Sequence, residues 1–257
     1  MKRKVLIIGI GAGNPDYVTI QAVNALNQVD VFFIPDKGAE KEQLSRIRRE
    51  ICERFITAPH YRMVDFETPL RQKPSSTYRA SVNDWHDKVE ATYEHLLMEE
   101  LGDDECGAFL VWGDPSLYDS TIRILDRLNA KGNFELDYDV IPGITSIQAL
   151  TAKHKVVLNR IGDSITITTG RKLAEGFPNN SESVIVMLDG EGAFKAIDED
   201  VDIYWGAYIG TEDEILMSGK LRDVVDDIER LRNVARAQMG WIMDTYLLKR
   251  SYDENGE

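Results

Sequence analysis

The stretch KVLIIGIGAGNPDYVT, residues 4–19, decides the fold. After Lys4, VLII is an apolar run of the kind that forms a buried strand. Gly9, Gly11 and Gly13 then interrupt it; glycine so dense costs backbone entropy and belongs to a tight turn or a close approach. Asn14 is a good N-cap, and Pro15 suits the first helical position, where no N–H is needed. Val18, Ala22, Ala25, Leu26 and Val29 continue at helical spacing. The run DVFFIP, 30–35, reads as a second strand. Strand, turn, helix and strand in that order imply a parallel sheet.

Outward from this unit the alternation continues. Helices are expected over 39–55, 82–101 and 120–132, and strands over 107–112 and 136–141. Residues 59–81, with prolines at 59, 69 and 74, read as a loop. After Pro142-Gly143 the pattern becomes strand-rich. DSITITTG (163–170) alternates like a half-exposed strand, SVIVMLDG (183–190) is a buried one, and 201–221 holds two strands around Gly210-Thr211. LRDVVDDIERLR, 221–232, is strongly helical. The fold class is therefore α/β in two domains, 1–143 with a mostly parallel sheet and 144–257 with a mixed one.

The chain has 257 residues and a net charge of −14, with 43% hydrophobic and 29% charged residues. That composition is globular, and the acidic balance speaks against nucleic acid or an anionic membrane as partner. No apolar run approaches the ~20 residues that cross a bilayer. The two cysteines, Cys52 and Cys106, form no disulfide framework and suit a reducing, cytoplasmic compartment. Residues 37–81 run against the general charge, with ten Lys or Arg and six Asp or Glu. Two readings fit: a solvated helix face, or a docking surface for a polyanionic small molecule. On the second, charge reversal at Arg71 and Arg79 raises KM for substrate.

Common catalytic motifs are lacking in the sequence. A phosphate loop and a nucleophile elbow are both absent, and the four histidines show no zinc spacing, so no metal is expected. His86 and Glu90 share a helix face, as an ordinary surface pair or, less simply, as metal ligands. The dinucleotide fingerprint fails at its third glycine, where Asn14 stands. What remains is a series of glycine-bearing turns, each after an expected strand: GIGAGNP, WGDPSLY, IPGITS, MLDG and YIGTEDE. In an open α/β sheet, ligands bind outside the carboxyl ends of the strands, and glycine there admits a ligand to the backbone. Five such turns over two domains point to an interdomain cleft for a ligand of adenosine-like polarity.

GIGAGNPDYVT (9–19), VWGDPSLYDST (111–121), VIPGITS (140–146) and VIVML (184–188), in that order and at those distances, resemble the tetrapyrrole (corrin/porphyrin) methylases. FFIPDKG (32–38), LSRIRREICERFI (44–56), VWGDPSLYDSTIRIL (111–125) and GWIMDTYLLKR (240–250) look closer still to the deacetylating branch of that family, in aerobic cobalamin biosynthesis. The resemblance implies a homodimer whose subunits each hold S-adenosylmethionine (SAM) in a cleft between the domains and release S-adenosylhomocysteine. Position by position, it assigns SAM contacts to Ala12, Trp112, Gly113, Asp114, Leu117, Thr145, Ser146, Met187 and Gly210. Ala12 stands where the family's G-x-G-P-G-D-P motif has its first proline, and Asn14 replaces its aspartate. An asparagine is no carboxylate base, so a catalytic role for that aspartate does not transfer.

The reaction the resemblance implies is methyl transfer from SAM to ring carbon C1 of precorrin-5, with the acetyl group there lost as acetate. Methyl transfer needs in-line alignment more than acid–base help. Adding water to the acetyl carbonyl is different: a base and an oxyanion stabiliser assist it. Asp36, at the end of the second strand, and Asp114 are the candidate bases. Methylation of another precorrin or of a modified protein histidine, a non-catalytic SAM or nucleotide sensor, and a nicotinamide oxidoreductase are the competing readings.

Overall fold

A computed structural model describes residues 2–36, 38, 42–58, 60–69, 78–178 and 180–250, with backbone only for 78–84. The chain divides into two compact units, Met1–Thr145 and Ser146–Glu257. Both are α/β.

The first unit contains β1 (Lys2–Gly9), α1 (Ile20–Leu26), β2 (Val31–Asp36), α2 (Glu42–Phe55), β3 (Arg62–Glu67), α3 (Tyr78–His95), β4 (Cys106–Val111), α4 (Thr121–Lys131) and β5 (Glu135–Ile141). Its sheet has the order β3-β2-β4-β1-β5 with every pair parallel. Strand alternation sends Val5 and Ile7 to one face and Leu6 and Ile8 to the other. Val5 and Ile7 join Phe33, Phe109, Val89 and Leu128 under α3 and α4. Leu6 and Ile8 join Phe32, Ile34, Leu26 and Ile51 under α1 and α2. The connection from β2 leads outward to β3, and that from β4 leads the opposite way to β5. The strand order therefore reverses between β2 and β4, which is the crevice where such sheets receive ligands.

Two expectations are corrected. The first helix does not run on from Pro15: Pro15–Tyr17 is a single 3-10 turn with Asn14 as its cap, accepting from Asp16 N at 2.8 Å. The chain extends again at Val18, and Thr19 caps α1 by accepting from Ala22 N at 3.1 Å. Two good N-caps five residues apart compete, and the second starts the α-helix. The stretch read as loop also contains β3, an edge strand paired in register with β2 from Val31↔Arg62 to Asp36↔Glu67. Edge position explains why its apolar pattern is weak, since only Phe66 in it is buried.

The second unit contains α5 (Ser146–His154), β6 (Ile165–Thr169), α6 (Gly170–Leu173), β7 (Ser183–Met187), β8 (Val201–Ala207), β9 (Ile215–Lys220), α7 (Leu221–Met239) and β10 (Asp244–Arg250). Its order is β6-β7-β10-β8-β9, with β6 and β7 parallel and the other pairs antiparallel. The last strand of the described residues thus lies at the centre of the sheet. Trp205, Tyr246 and Phe194 are fully buried in its core.

Candidate functional site

In the first unit, the turns after β1, β4 and β5 are tied together through their backbones. Ile10 N donates to Val111 O at 2.9 Å, and Gly11 and Gly113 exchange hydrogen bonds of 3.3 and 2.9 Å. A Cβ on Gly143 would lie 2.0 Å from Gly113 O, and one on Gly9 would lie 2.6 Å from Gly143 N. These two glycines are required by backbone packing rather than by a ligand. Gly113 differs: it has φ +69°, and a Cβ there would meet only Thr145 Cα at 3.6 Å. Gly113 is itself buried, but of the three it is the one whose Cβ direction is not closed by neighbouring backbone. Ala12 is buried, while Trp112 and Leu117 are half-buried.

Asp114 braces this arrangement. One carboxylate oxygen accepts from Gly143 N at 2.8 Å; the other accepts from Ser116 N at 2.8 Å and from Ser116 Oγ. Burial pushes its pKa up, and the bonds from Ser116 and Gly143 more than offset that, so the group titrates below the usual carboxylate range. Asp36, by contrast, is exposed at the carboxyl end of β2. Its Oδ1 accepts from Gly38 N at 2.8 Å, and Oδ2 has no hydrogen-bond partner among the described residues. It lines an open cleft of about 740 Å³ with Ser45, Arg46, Arg49 and Asp65.

In the second unit the assigned residues meet around the start of β10. Thr245 pairs with Met187 on one side and Gly206 on the other. Ser146 Oγ lies 3.2 Å from Thr245 Oγ1. Met187 is half-buried and is followed by Leu188, which is 66% exposed at φ 54°. Asp189 pins that turn by accepting from Ala193 N at 2.7 Å, Gly192 N at 2.9 Å and the Tyr246 hydroxyl at 2.6 Å. Behind it, Arg232 Nε donates to Asp244 Oδ2 at 2.7 Å, and Trp205 Nε1 to the same oxygen at 2.9 Å. Gly210 follows β8 with φ +80° and donates to Glu214 Oε2 at 2.7 Å.

Backbone strain marks the same turns. The described non-glycine residues in the left-handed region are Tyr118, Lys155, Leu188 and Tyr208. Three of them lie in the turns after β4, β7 and β8. Each such residue costs about 1–2 kcal/mol, and strain of this kind gathers at ligand sites.

The positive segment is less available than its charge suggests. Arg49 pairs with Asp65, Arg54 with Asp16 at 2.5 Å, and Arg62 with Glu105. Arg71 and the Arg79 side chain lie outside the described residues. His86 and Glu90 turn toward α4: His86 Nε2 is 2.7 Å from Arg123 Nη2, and Glu90 pairs with Arg127 and Lys131 at 2.6 Å. Asp189, Thr245 and Arg48 were not singled out from sequence. For Arg48 a signal was present, because it occupies a core position in the stripe Leu44, Ile47, Arg48, Ile51.

Residues 4–225 match the family model for Tetrapyrrole (Corrin/Porphyrin) Methylases. Precorrin-6A synthase [deacetylating] from Sinorhizobium sp is 55% identical over 252 residues, covering 98% of this chain and 97% of that protein. The crystal structure of a cobalamin synthesis related protein (CobF) from Corynebacterium diphtheriae superposes with a TM-score of 0.83 at 36% identity, over 97% of this chain and 99% of that one. Uroporphyrin-III C-methyl transferase from Thermus thermophilus, solved in complex with S-adenosylhomocysteine, shares the fold at a TM-score of 0.55 and 15% identity, over 96% of this chain and 97% of that one. With the ordered turns and both sheets in place, the chain belongs to the tetrapyrrole (corrin/porphyrin) methylases.

Proposed function

We propose that this chain is a SAM-dependent C-methyltransferase of cobalamin biosynthesis, which methylates precorrin-5 at C1 and releases the acetyl group there as acetate. The observation that carries this reading is the 55% identity, over 98% of the chain, with the Sinorhizobium protein named for that deacetylating synthesis. SAM contacts are assigned to Ala12, Trp112, Gly113, Leu117, Thr145, Ser146, Met187 and Gly210. The room beside Gly113, where a Cβ would meet only Thr145 Cα at 3.6 Å, supports this assignment, as does the strained turn that presents Met187 and Leu188. Asp114 acts in the same turn as its brace.

Bound SAM supplies an electrophilic methyl group. The protein's part is alignment of donor and ring carbon, which can lower the barrier by ~7–11 kcal/mol. For the deacetylation, Asp36 is the better base of the two carboxylates. Its Oδ2 has no hydrogen-bond partner among the described residues and can take a proton from water, whereas both oxygens of Asp114 are engaged. The enzyme works as a homodimer in the cytoplasm, in line with the family resemblance and the two unpaired cysteines.

The test is incubation with SAM and precorrin-5, followed by mass spectrometry and an acetate assay. Methyl gain, acetyl loss and free acetate together are expected. Methyl gain with the acetyl group retained would refute the deacetylating step and leave the methylase reading standing.

A further inference from the structure

The central sheet of the first unit comes apart at its functional edge. β2 and β4 share only the register pairs Val31↔Gly107, Phe32↔Ala108 and Phe33↔Phe109, although β2 runs on to Asp36 and β4 to Val111. Val111 O accepts from Ile10 of β1's turn, so by strand alternation Leu110 O faces β2. Asp36 O accepts from Thr68 on the β3 side, so Pro35 O faces β4. Neither carbonyl has a strand partner across the opening.

Helix α2 satisfies both. Ser45 Oγ donates to Pro35 O at 2.9 Å, and Arg48 Nε donates to Leu110 O at 3.0 Å. Arg48 Nη1 donates to Leu44 O at 2.8 Å. The side chain is buried, with 4% exposure. Even so, no carboxylate of the described residues lies within ion-pair distance of it. Asp119 and the Tyr93 hydroxyl act on it from farther away; burial lowers its pKa to about 10, so it is charged at neutral pH. The Nη2 amino group has no hydrogen-bond partner among the described residues, and it is not one of the unpartnered atoms sealed from solvent.

Buried cations are paired, because an unpaired one forfeits its hydration without return. This cation sits where the strand order reverses, and its planar fork has one arm unused. We propose that Arg48 is the site's carboxylate receptor, its Nη2 arm binding either a side-chain carboxylate of the tetrapyrrole or the acetate released from it. This rests on the functional reading above, which supplies both carboxylates.

Arg48→Gln and Arg48→Lys separate the receptor from a mere bridge between strands. Both variants are expected to raise KM for precorrin-5 at least tenfold while the Kd for SAM, by calorimetry, stays within about twofold; loss of a charged hydrogen bond is of that size. If acetate is the ligand, added sodium acetate inhibits the wild type competitively, relative to sodium chloride at equal ionic strength, and the variants escape that inhibition. Folded variants with unchanged KM and unchanged acetate inhibition would overturn the proposal. Should neither variant fold, titration of the wild-type Arg48 Nε resonance with sodium acetate decides the matter. A saturable shift beyond the chloride control supports the receptor, and none overturns it. That readout needs no turnover, so it stays distinct from a failure to methylate precorrin-5.

Discussion

Replacing Asp114 by asparagine distinguishes a brace from a base. Both carboxylate oxygens face N–H donors, Gly143 N on one side and Ser116 N on the other, each at 2.8 Å. An asparagine offers one acceptor oxygen, so either orientation sets its NH2 group against a backbone N–H. One charge-assisted bond is lost and a donor is left facing a donor, which costs about 2 kcal/mol at this half-buried site. If SAM binds only to the braced turn, its Kd rises about thirtyfold, at 1.4 kcal/mol per factor of ten. kcat at saturating SAM should stay within a few-fold of wild type. Calorimetric titration of SAM, thermal unfolding and saturation kinetics on D114N make the comparison. Unchanged Kd and Tm with kcat reduced a hundredfold would refute the brace and restore Asp114 as a reacting group. The pH dependence provides a second check. The folded pKa is depressed, so the stabilisation is present above the unfolded value of about 3.9 and is lost as pH falls through the folded value. The wild-type advantage over D114N should therefore hold constant above about pH 5 and vanish in stronger acid.

Gly143→Ala puts a Cβ 2.0 Å from Gly113 O and should abolish soluble folded protein or lower stability by ~3 kcal/mol or more. Gly162→Ala has φ +92° but nothing within 4 Å, and should cost only about 1 kcal/mol in urea unfolding; equal losses would disprove the clash. Arg232→Met strands Asp244, whose side chain is 2% exposed, and is expected to cost ~3–5 kcal/mol. A Tm drop of less than a few degrees would contradict that. Leu188→Gly relieves a left-handed residue whose side chain is 66% exposed. Stability should be unchanged or higher by up to about 1 kcal/mol, with weaker SAM binding; lower Tm with unchanged Kd would make Leu188 purely structural.

The legible parts of the fold were those set by local pattern. VLII reads as a two-faced buried strand because its alternate residues serve two cores, and the glycine turns punctuate strand ends. β3 was not legible, because an edge strand with one buried residue carries little periodicity. The glycine turns serve a purpose partly different from the one their sequence suggests. Gly9 and Gly143 exist for backbone packing between turns, a contact between residues 134 apart that no local window contains. Gly113 is buried, but the space in its Cβ direction is not filled by backbone. Arg48 lay in plain view on an apolar stripe, but its partner is a carbonyl freed by the divergence of two strands, and strand register is a non-local property.

The opening between β2 and β4 also bears on how the chain folds. Arg48 and Leu110 are 62 residues apart in sequence, and the bond between them cannot close until α3 has returned the chain to the sheet as β4. Strand pairing of β2 with β3 and docking of α2 on β2 need no such return. The guanidinium therefore keeps its water until β4 has docked beside β2. If β4 docks after the transition state, changes at Arg48 accelerate unfolding and leave the refolding rate nearly untouched; a slowed refolding rate would place that docking in the nucleus.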